Sequence, residues 1–303
     1  MTAQDVSDRL KTRIARFYYL EGMTQDEIVT LTGLNRTKVL RILAASCQDG
    51  TVQIRVTSNI SKCVDLERAL EARWNRTRAI AIPEPQHPTQ MSAILGATLG
   101  AFISETLSGH STIGLGRGKT LSSALPALEP RQAENMRVLS LLGGLTHVSS
   151  VNPSEFAWRF ADRLNADCHL LTAPFFAPDR LTKEALLDHP GIAEIFAQAK
   201  NLDMAVVSVG ALNPQSVFYD YGLLSRTEIA SLQAAGAVGD ILCHFVNQDG
   251  ELIEHPVNER VLAVNPAQLR NTRNVVLVSW GLAQAQDHPC GSSSFGAQSF
   301  DHQ

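Results

Sequence analysis

The apolar positions of this chain change their period near residue 77. Before it they recur at helical spacing. In residues 5–20, Leu10, Ile14 and Phe17 share one helical face, and Gly22 ends the run. Thr24-Gln25-Asp26-Glu27 has the form of a capping box, in which the threonine hydroxyl accepts from the Glu27 N–H and the glutamate reaches back. Ile28 and Leu31 follow on one face, Gly33 permits a sharp reversal, and Asn35 offers an N-cap to the next helix. Along that helix Val39, Ile42, Leu43 and Ser46 fall at i, i+3, i+4 and i+7, the side that faces a core. After Asp49-Gly50, residues 51–57 alternate with Val52, Ile54 and Val56 on one side, which predicts a short strand. Ser61 is placed to cap a further helix reaching about Asn75, with Leu66, Leu70 and Trp74 on one stripe.

From residue 77 short apolar runs alternate with helical patterns. The predicted strands are 78–83, 111–116, 137–144, 167–174, 204–210, 240–246, 260–264 and 274–280, and helical stretches such as 91–107 and 156–165 lie between them. Continuous apolar strands separated by helices mean a mostly parallel sheet covered on both faces. Gln248-Asp249-Gly250 reads as a hairpin turn, an antiparallel addition. The fold class is therefore α/β. Its expected parts are a helical head with a strand (1–57), a connecting helix (58–76), a sheet domain (77–281) and a tail (282–303). The tail is rich in Ser, Gly and Gln, has no periodicity and is expected to be poorly ordered.

Composition changes this picture little. At 303 residues, 44% apolar and 18% charged, the chain is an ordinary globular protein of two-domain size. The distribution of charge matters more than the net −4. Residues 1–57 hold eight Lys/Arg against six Asp/Glu, so a mildly basic head stands on an acidic body. Five scattered cysteines without a CxxC pair argue against a disulfide framework or a structural zinc site. The start has no apolar signal region and no apolar run approaches about 18 residues, so a cytoplasmic protein with no membrane partner is expected.

Candidate chemistry lies at two places. On the second helix of the head, Arg36, Thr37, Lys38 and Arg41 are left pointing outward near the N-terminal end, the end that enters the major groove of DNA in a helix-turn-helix. Arginine can bond bidentately to guanine, whereas lysine and threonine more often hold phosphate. A strand after such a helix suggests a wing, from which Arg55 could touch a phosphate. In the sheet domain, three predicted strands end in glycine: at 114–120 (GLGRGKT), at Gly143-Gly144 and at Gly210. Successive N–H groups at Gly116, Arg117, Gly118, Lys119 and Thr120, with the two cationic side chains and the hydroxyl, suit an anion such as phosphate. The loop is neither a Walker A motif nor a dinucleotide fingerprint, because Ile113 and Lys119 stand where those need glycine. No cofactor follows. The nine histidines show no metal-ligand spacing, so no metal is expected either. Asp240, after the glycine-rich GAVG, could accept sugar hydroxyls or simply cap a turn.

Taken together, residues 13–43, GLGRGKT (114–120), LLGG (141–144), GAVGDI (236–241) and NERVLAV (258–264) resemble the SorC family of sugar-responsive bacterial transcription regulators. The opening RIARFYYLEGMTQ is most similar to members tied to sugar-alcohol catabolism, erythritol among them. The resemblance implies an N-terminal winged helix-turn-helix and an effector domain similar to glucosamine-6-phosphate deaminase and ribose-5-phosphate isomerase. It implies a dimer or tetramer on double-stranded operator DNA, with affinity set by a sugar, sugar phosphate or polyol. It also implies that the 114–120 loop and Gly143-Gly144 hold the phosphate or hydroxyl end of that effector, with Asp240 at the rim of the pocket. Two departures stand out. Family members usually carry an aromatic residue at the position of Arg117. They also continue after the 274–280 strand with a turn, an apolar helix and a final strand, which the tail here does not match.

Two classes of function fit these residues. The first is a regulator, with DNA bound by the head and an effector by the body, and no catalysis. The second is a sugar-phosphate isomerase or deaminase, which needs a base poised over the sugar. No acid/base partner accompanies Asp240, and a DNA-reading head has no use in an enzyme, so the regulator is the expectation.

Overall fold

A computed structural model describes residues 3–49, 51–52, 59–74, 78–85, 87–131, 135–145, 152–213, 216–280 and 298–300. The chain divides into two compact units, Met1–Ser58 and Asn59–Gln303.

The first unit holds α1 (Ala3–Tyr19), α2 (Gln25–Thr32) and α3 (Arg36–Gln48). Both helix starts follow their local sequence. Thr24 accepts from the Glu27 N–H while the Glu27 carboxylate accepts from the Thr24 N–H, and the Asn35 side chain accepts from the Lys38 N–H. Gly33 makes the turn between the two helices in the left-handed region, at φ 68°. Ile14, Ile28, Val39 and Leu43 close a small core, with Leu10, Phe17 and Ile42 packed against it. Lys11 of α1 is ion-paired with Asp49, the residue that ends α3. Residues 51 and 52 form a bend whose Val52 N–H donates to the Ser46 carbonyl. Most of the expected wing strand, and Arg55 with it, lies outside the described residues.

The second unit opens with α4 (Asn59–Trp74), β1 (Arg78–Ala79) and α5 (Met91–Thr106). Next come β2 (Thr112–Leu115), α6 (Lys119–Ser122), β3 (Arg137–Ser140), α7 (Pro153–Leu164) and β4 (Asp167–His169). After these follow α8 (Arg180–Leu187), α9 (Pro190–Gln198), β5 (Met204–Ala211), α10 (Val217–Asp220) and α11 (Arg226–Ala234). The unit ends with β6 (Gly239–Ile241), β7 (His244–Val246), α12 (Pro256–Glu259), β8 (Asn274–Val278) and β9 (Gln298–Phe300). The strand order is β1-β9-β8-β5-β2-β3-β4, with β8, β5, β2, β3 and β4 parallel and β9 antiparallel between β8 and β1. The central strands are apolar on both faces. Ala205, Val207 and Val275 join one core cluster, and Met204, Val206, Val276 and Val278 the other. Fully burying a valine or methionine side chain of this kind contributes about 1.5–3 kcal/mol.

Four expectations need correction. Helix α4 begins at Asn59, so Ser61 lies in its first turn rather than capping it. The apolar run 240–246 is not one strand. Leu242 and Cys243 take positive φ (51° and 63°) and reverse the chain into the antiparallel pair β6–β7. Residues 260–264 form no strand either. They make only isolated antiparallel bridges, Val261 with Phe176 and Ala263 with Leu142: the Leu262 carbonyl accepts from Gly143, its N–H donates to Phe175, and the Val264 N–H donates to Leu141. Burial on all sides gave that run its strand-like composition. The tail, lastly, is not wholly irregular: residues 298–300 add β9 to the sheet, and 281–297 lie outside the described residues.

Carboxylates of α4 also guard the sheet edge. Glu71 accepts from the Ala79 N–H at 2.9 Å and Glu67 from the Ala81 N–H at 2.8 Å, which ties this helix to the sheet unit. Among the described residues no helix is long and apolar enough to cross a membrane, and no cluster of three His, Cys, Asp or Glu could hold a metal.

Candidate functional site

In the first unit, the turn at Gly33 brings the first turn of α3 beside the first turn of α2. Arg36, Thr37, Lys38 and Arg41 are all exposed. Thr37 and Arg41 are one helical turn apart and share a face with Leu40, itself 46% exposed. Arg36 is held: its Nε donates to Gln25 Oε1 at 3.3 Å, and its Nη1 lies 3.6 Å from Asp26 Oδ1. With the Arg36 and Asp26 side chains 65% and 76% exposed, that ion pair contributes at most about 1 kcal/mol. Its effect is to restrict where the guanidinium points. Gln25 and Asp26 do not stand out in the sequence as partners of Arg36. The signal was present, since a tight turn between short helices places the start of one beside the start of the other.

In the second unit, the residues of interest gather where β2 and β5 end. The glycine N–H groups are largely spoken for: Gly116 donates to the Val206 carbonyl, Gly143 to Leu262 and Gly144 to Ala173. A Cβ on Gly143 would lie 2.3 Å from the Pro174 carbonyl oxygen, so that glycine is required by a close crossing of two backbones. Lys119 is exposed and Thr120 buried, at the start of the four-residue helix α6. So short a helix sums few peptide dipoles, which makes it a weak attractor of anions.

Arg117 does not face outward with this loop. Its side chain is 12% exposed and Asp240's is 4%, and Arg117 Nη2 donates to Asp240 Oδ2 at 2.9 Å. The Arg117 Nε donates to Cys243 Sγ at 3.4 Å, and the guanidinium carbon lies 5.0 Å from the Phe218 ring centre and 5.8 Å from that of Phe175. The Cys243 N–H donates to the same Asp240 Oδ2 at 2.9 Å. Asp240 therefore lies beneath Arg117, not at a rim. The β6–β7 reversal carries it there, because the positive φ at Leu242 and Cys243 turns the Cys243 amide back onto the carboxylate. Burial works against a charged guanidinium, but Asp240 and Cys243 outweigh it and hold Arg117 above its ordinary value. Burial also pushes the Cys243 thiol up, to about 11, so it stays neutral near pH 7. Breaking such a pair from one side costs about 3–5 kcal/mol, because an uncompensated buried charge remains.

The second oxygen of Asp240 is different. Oδ1 is buried and has no hydrogen-bond partner among the described residues. It faces Gly210, where a Cβ would fall 2.1 Å away. Gly210 is thus the third member of the site, present because nothing larger fits beside the carboxylate.

Among the described residues the Ser–His contact is not set up for acid/base work. Ser231 Oγ meets His255 Nε2 at 3.0 Å, but His255 Nδ1 accepts from the Val257 N–H. A neutral His255 must then carry its proton on Nε2 and donate to the serine, the wrong tautomer for activating a nucleophile. Burial lowers His244 to about 4, and its Nδ1 lies 3.1 Å from the Leu242 carbonyl oxygen.

The chain is similar to named proteins over nearly its whole length. It is 28% identical over 282 residues to the erythritol catabolism regulatory protein EryD of Brucella abortus, covering 92% of this chain and 89% of that one. It is 25% identical to the deoxyribonucleoside regulator of Bacillus subtilis, over 90% and 88% of the two chains. Its fold matches the full-length sorbitol operon regulator SorC of Klebsiella pneumoniae with a TM-score of 0.69 at 23% identity, covering 91% and 90%. The family model Sugar-bind, a sugar-binding domain, matches residues 58–286. With more than half of its length inside that match, the chain belongs to the sugar-binding domain family of the SorC-type regulators.

Proposed function

We propose that this protein is a DNA-binding transcriptional regulator of a carbohydrate or polyol catabolic operon, and that a sugar, sugar phosphate or sugar alcohol controls it. The observation that carries the reading is the joining, in one chain, of a sugar-binding family domain to a capped helix–turn–helix unit with four exposed groups on its second helix. The names of the relatives support it, since EryD and the deoxyribonucleoside regulator are both named as regulators.

In this reading α3 is the recognition helix of a winged helix-turn-helix spanning residues 1–57. Arg36 and Arg41 contact base edges, Thr37 and Lys38 hold phosphate or a single edge, and Arg55 contacts phosphate from the wing. A palindromic operator calls for two such heads, so the protein acts as a dimer or tetramer. The effector binds at the carboxyl ends of β2 and β5, near Gly116, Arg117, Gly118, Lys119, Thr120 and Asp240, with Gly143 and Gly144 shaping the crossing behind them. It shifts DNA affinity by binding the competent and incompetent states unequally. The protein works in the cytoplasm, where its DNA is, and needs no cofactor or catalytic group. The Ser231–His255 tautomer supports a non-catalytic role.

The test is a gel-shift titration on the DNA upstream of the chain's own operon. Arg36→Ala and Arg41→Ala are each expected to weaken specific binding by about 1–3 kcal/mol. Unchanged affinity for both variants would refute the assignment of α3.

A further inference from the structure

We infer that the Arg117–Asp240 pair sets the charge class of the effector: the ligand meets this site with hydroxyl groups and is an uncharged polyol or free sugar, not a phosphate ester. This rests on the effector-binding reading above and names the substrate class for the same site.

Two independent observations carry it. The first is that the charge of Arg117 is already spent. Its guanidinium is bonded to Asp240 Oδ2 at 2.9 Å and to Cys243 Sγ at 3.4 Å, and its carbon lies 5.8 Å and 5.0 Å from the ring centres of Phe175 and Phe218. Drawing it away toward a phosphate would leave Asp240 buried and unpaired, a penalty of roughly a hundredfold in affinity or more. Leaving it in place would instead set a phosphate dianion near a buried carboxylate. The paired unit has no net charge, and it discriminates against a charged ligand from either direction.

The second observation is the unpartnered acceptor. Asp240 is 97% buried (3% exposed), and its Oδ1 finds no donor among the described residues. Gly210, which faces that oxygen, is partly exposed and has no side chain to cover it. A carboxylate oxygen in this position calls for a donor. A sugar or polyol hydroxyl is one. This second observation selects a hydroxyl-bearing ligand, and the first argues against a phosphate group at the guanidinium.

The test is calorimetric titration of the full chain with alditols of four to six carbons and with the monophosphate of each. Wild-type protein is expected to bind the uncharged member of a pair at least roughly tenfold tighter than its phosphate. Asp240→Asn unmasks the guanidinium and should invert that order. The double variant Arg117→Met/Asp240→Asn, again without net charge, should restore it. If Asp240→Asn fails to fold, the double variant against wild type carries the test. Tighter binding of a phosphate ester to wild type, or a double variant that prefers phosphates, overturns the inference and leaves the effector-binding reading standing. Binding of neither class, at concentrations up to millimolar, removes the effector reading itself.

Discussion

Two arginines show how differently the two units of this chain handle charge. Arg36 is 65% exposed and only lightly held, by Gln25 and a distant Asp26. Arg117 is 12% exposed and is held by a carboxylate, a thiol and two aromatic rings. The first can be lost at little cost to stability, and its worth is realised only against a partner. The second is part of the fold, and the same bonds that make it structural also decide what can bind beside it. An exposed charge is cheap and available, while a buried one is expensive and committed.

That contrast can be broken from its strongest side first. Asp240→Ala leaves the Arg117 guanidinium buried without a counter-charge and should cost about 3–5 kcal/mol in urea unfolding. A loss below about 1 kcal/mol would mean that water reaches the pair and the site is not closed.

The next largest effect is set by pH. Burial holds His244 at about 4 in the folded chain against 6.5 for a free histidine. Above pH 6.5 the ring is neutral in both states and contributes no pH dependence. As pH falls from 6.5 toward 4, the unfolded chain takes up a proton that the folded chain refuses, so stability is lost across that window, by about 3 kcal/mol in full. His244→Gln should flatten this part of the stability profile relative to wild type. An identical slope in the two proteins would refute the assignment.

Gly143→Ala probes the backbone crossing and is expected to cost about 1–3 kcal/mol through overpacking against the Pro174 carbonyl. Smaller still is Thr24→Ala, which removes one half of the α2 capping box and should lower the stability of the first unit by about 1 kcal/mol, read by amide exchange in α2. Smallest is Asp26→Asn: with an exposed pair at 3.6 Å, stability should change by no more than about 0.5 kcal/mol in the same measurement.

The head was legible because its determinants are local. Thr24, Glu27, Gly33 and Asn35 act within four residues of the groups they satisfy, and each took the role its spacing predicted. The effector site was only half legible. Arg117 and Asp240 both stood out in the sequence, one for its loop and one for its strand head, yet 123 residues separate them and nothing local announced that they pair. Gly143-Gly144 was legible only in part for a related reason. A glycine pair after a strand reads equally well as an anion cradle and as a close backbone approach, and the closeness of 173–174 and the bond to 262 appear only in the fold.

By itself, then, the order of residues determined the α/β class, the caps and turn of the first unit and the exposure of Arg36, Thr37, Lys38 and Arg41, since each depends on groups within a turn or two of helix. Tertiary structure alone decided that 240–246 doubles back, that 260–264 makes isolated antiparallel bridges rather than a strand, that 298–300 adds a strand to the sheet, and that Arg117 turns inward to Asp240. The reason is physical. A cap exchanges hydrogen bonds with its own neighbours, whereas a buried charge must find its counter-charge wherever the fold delivers one.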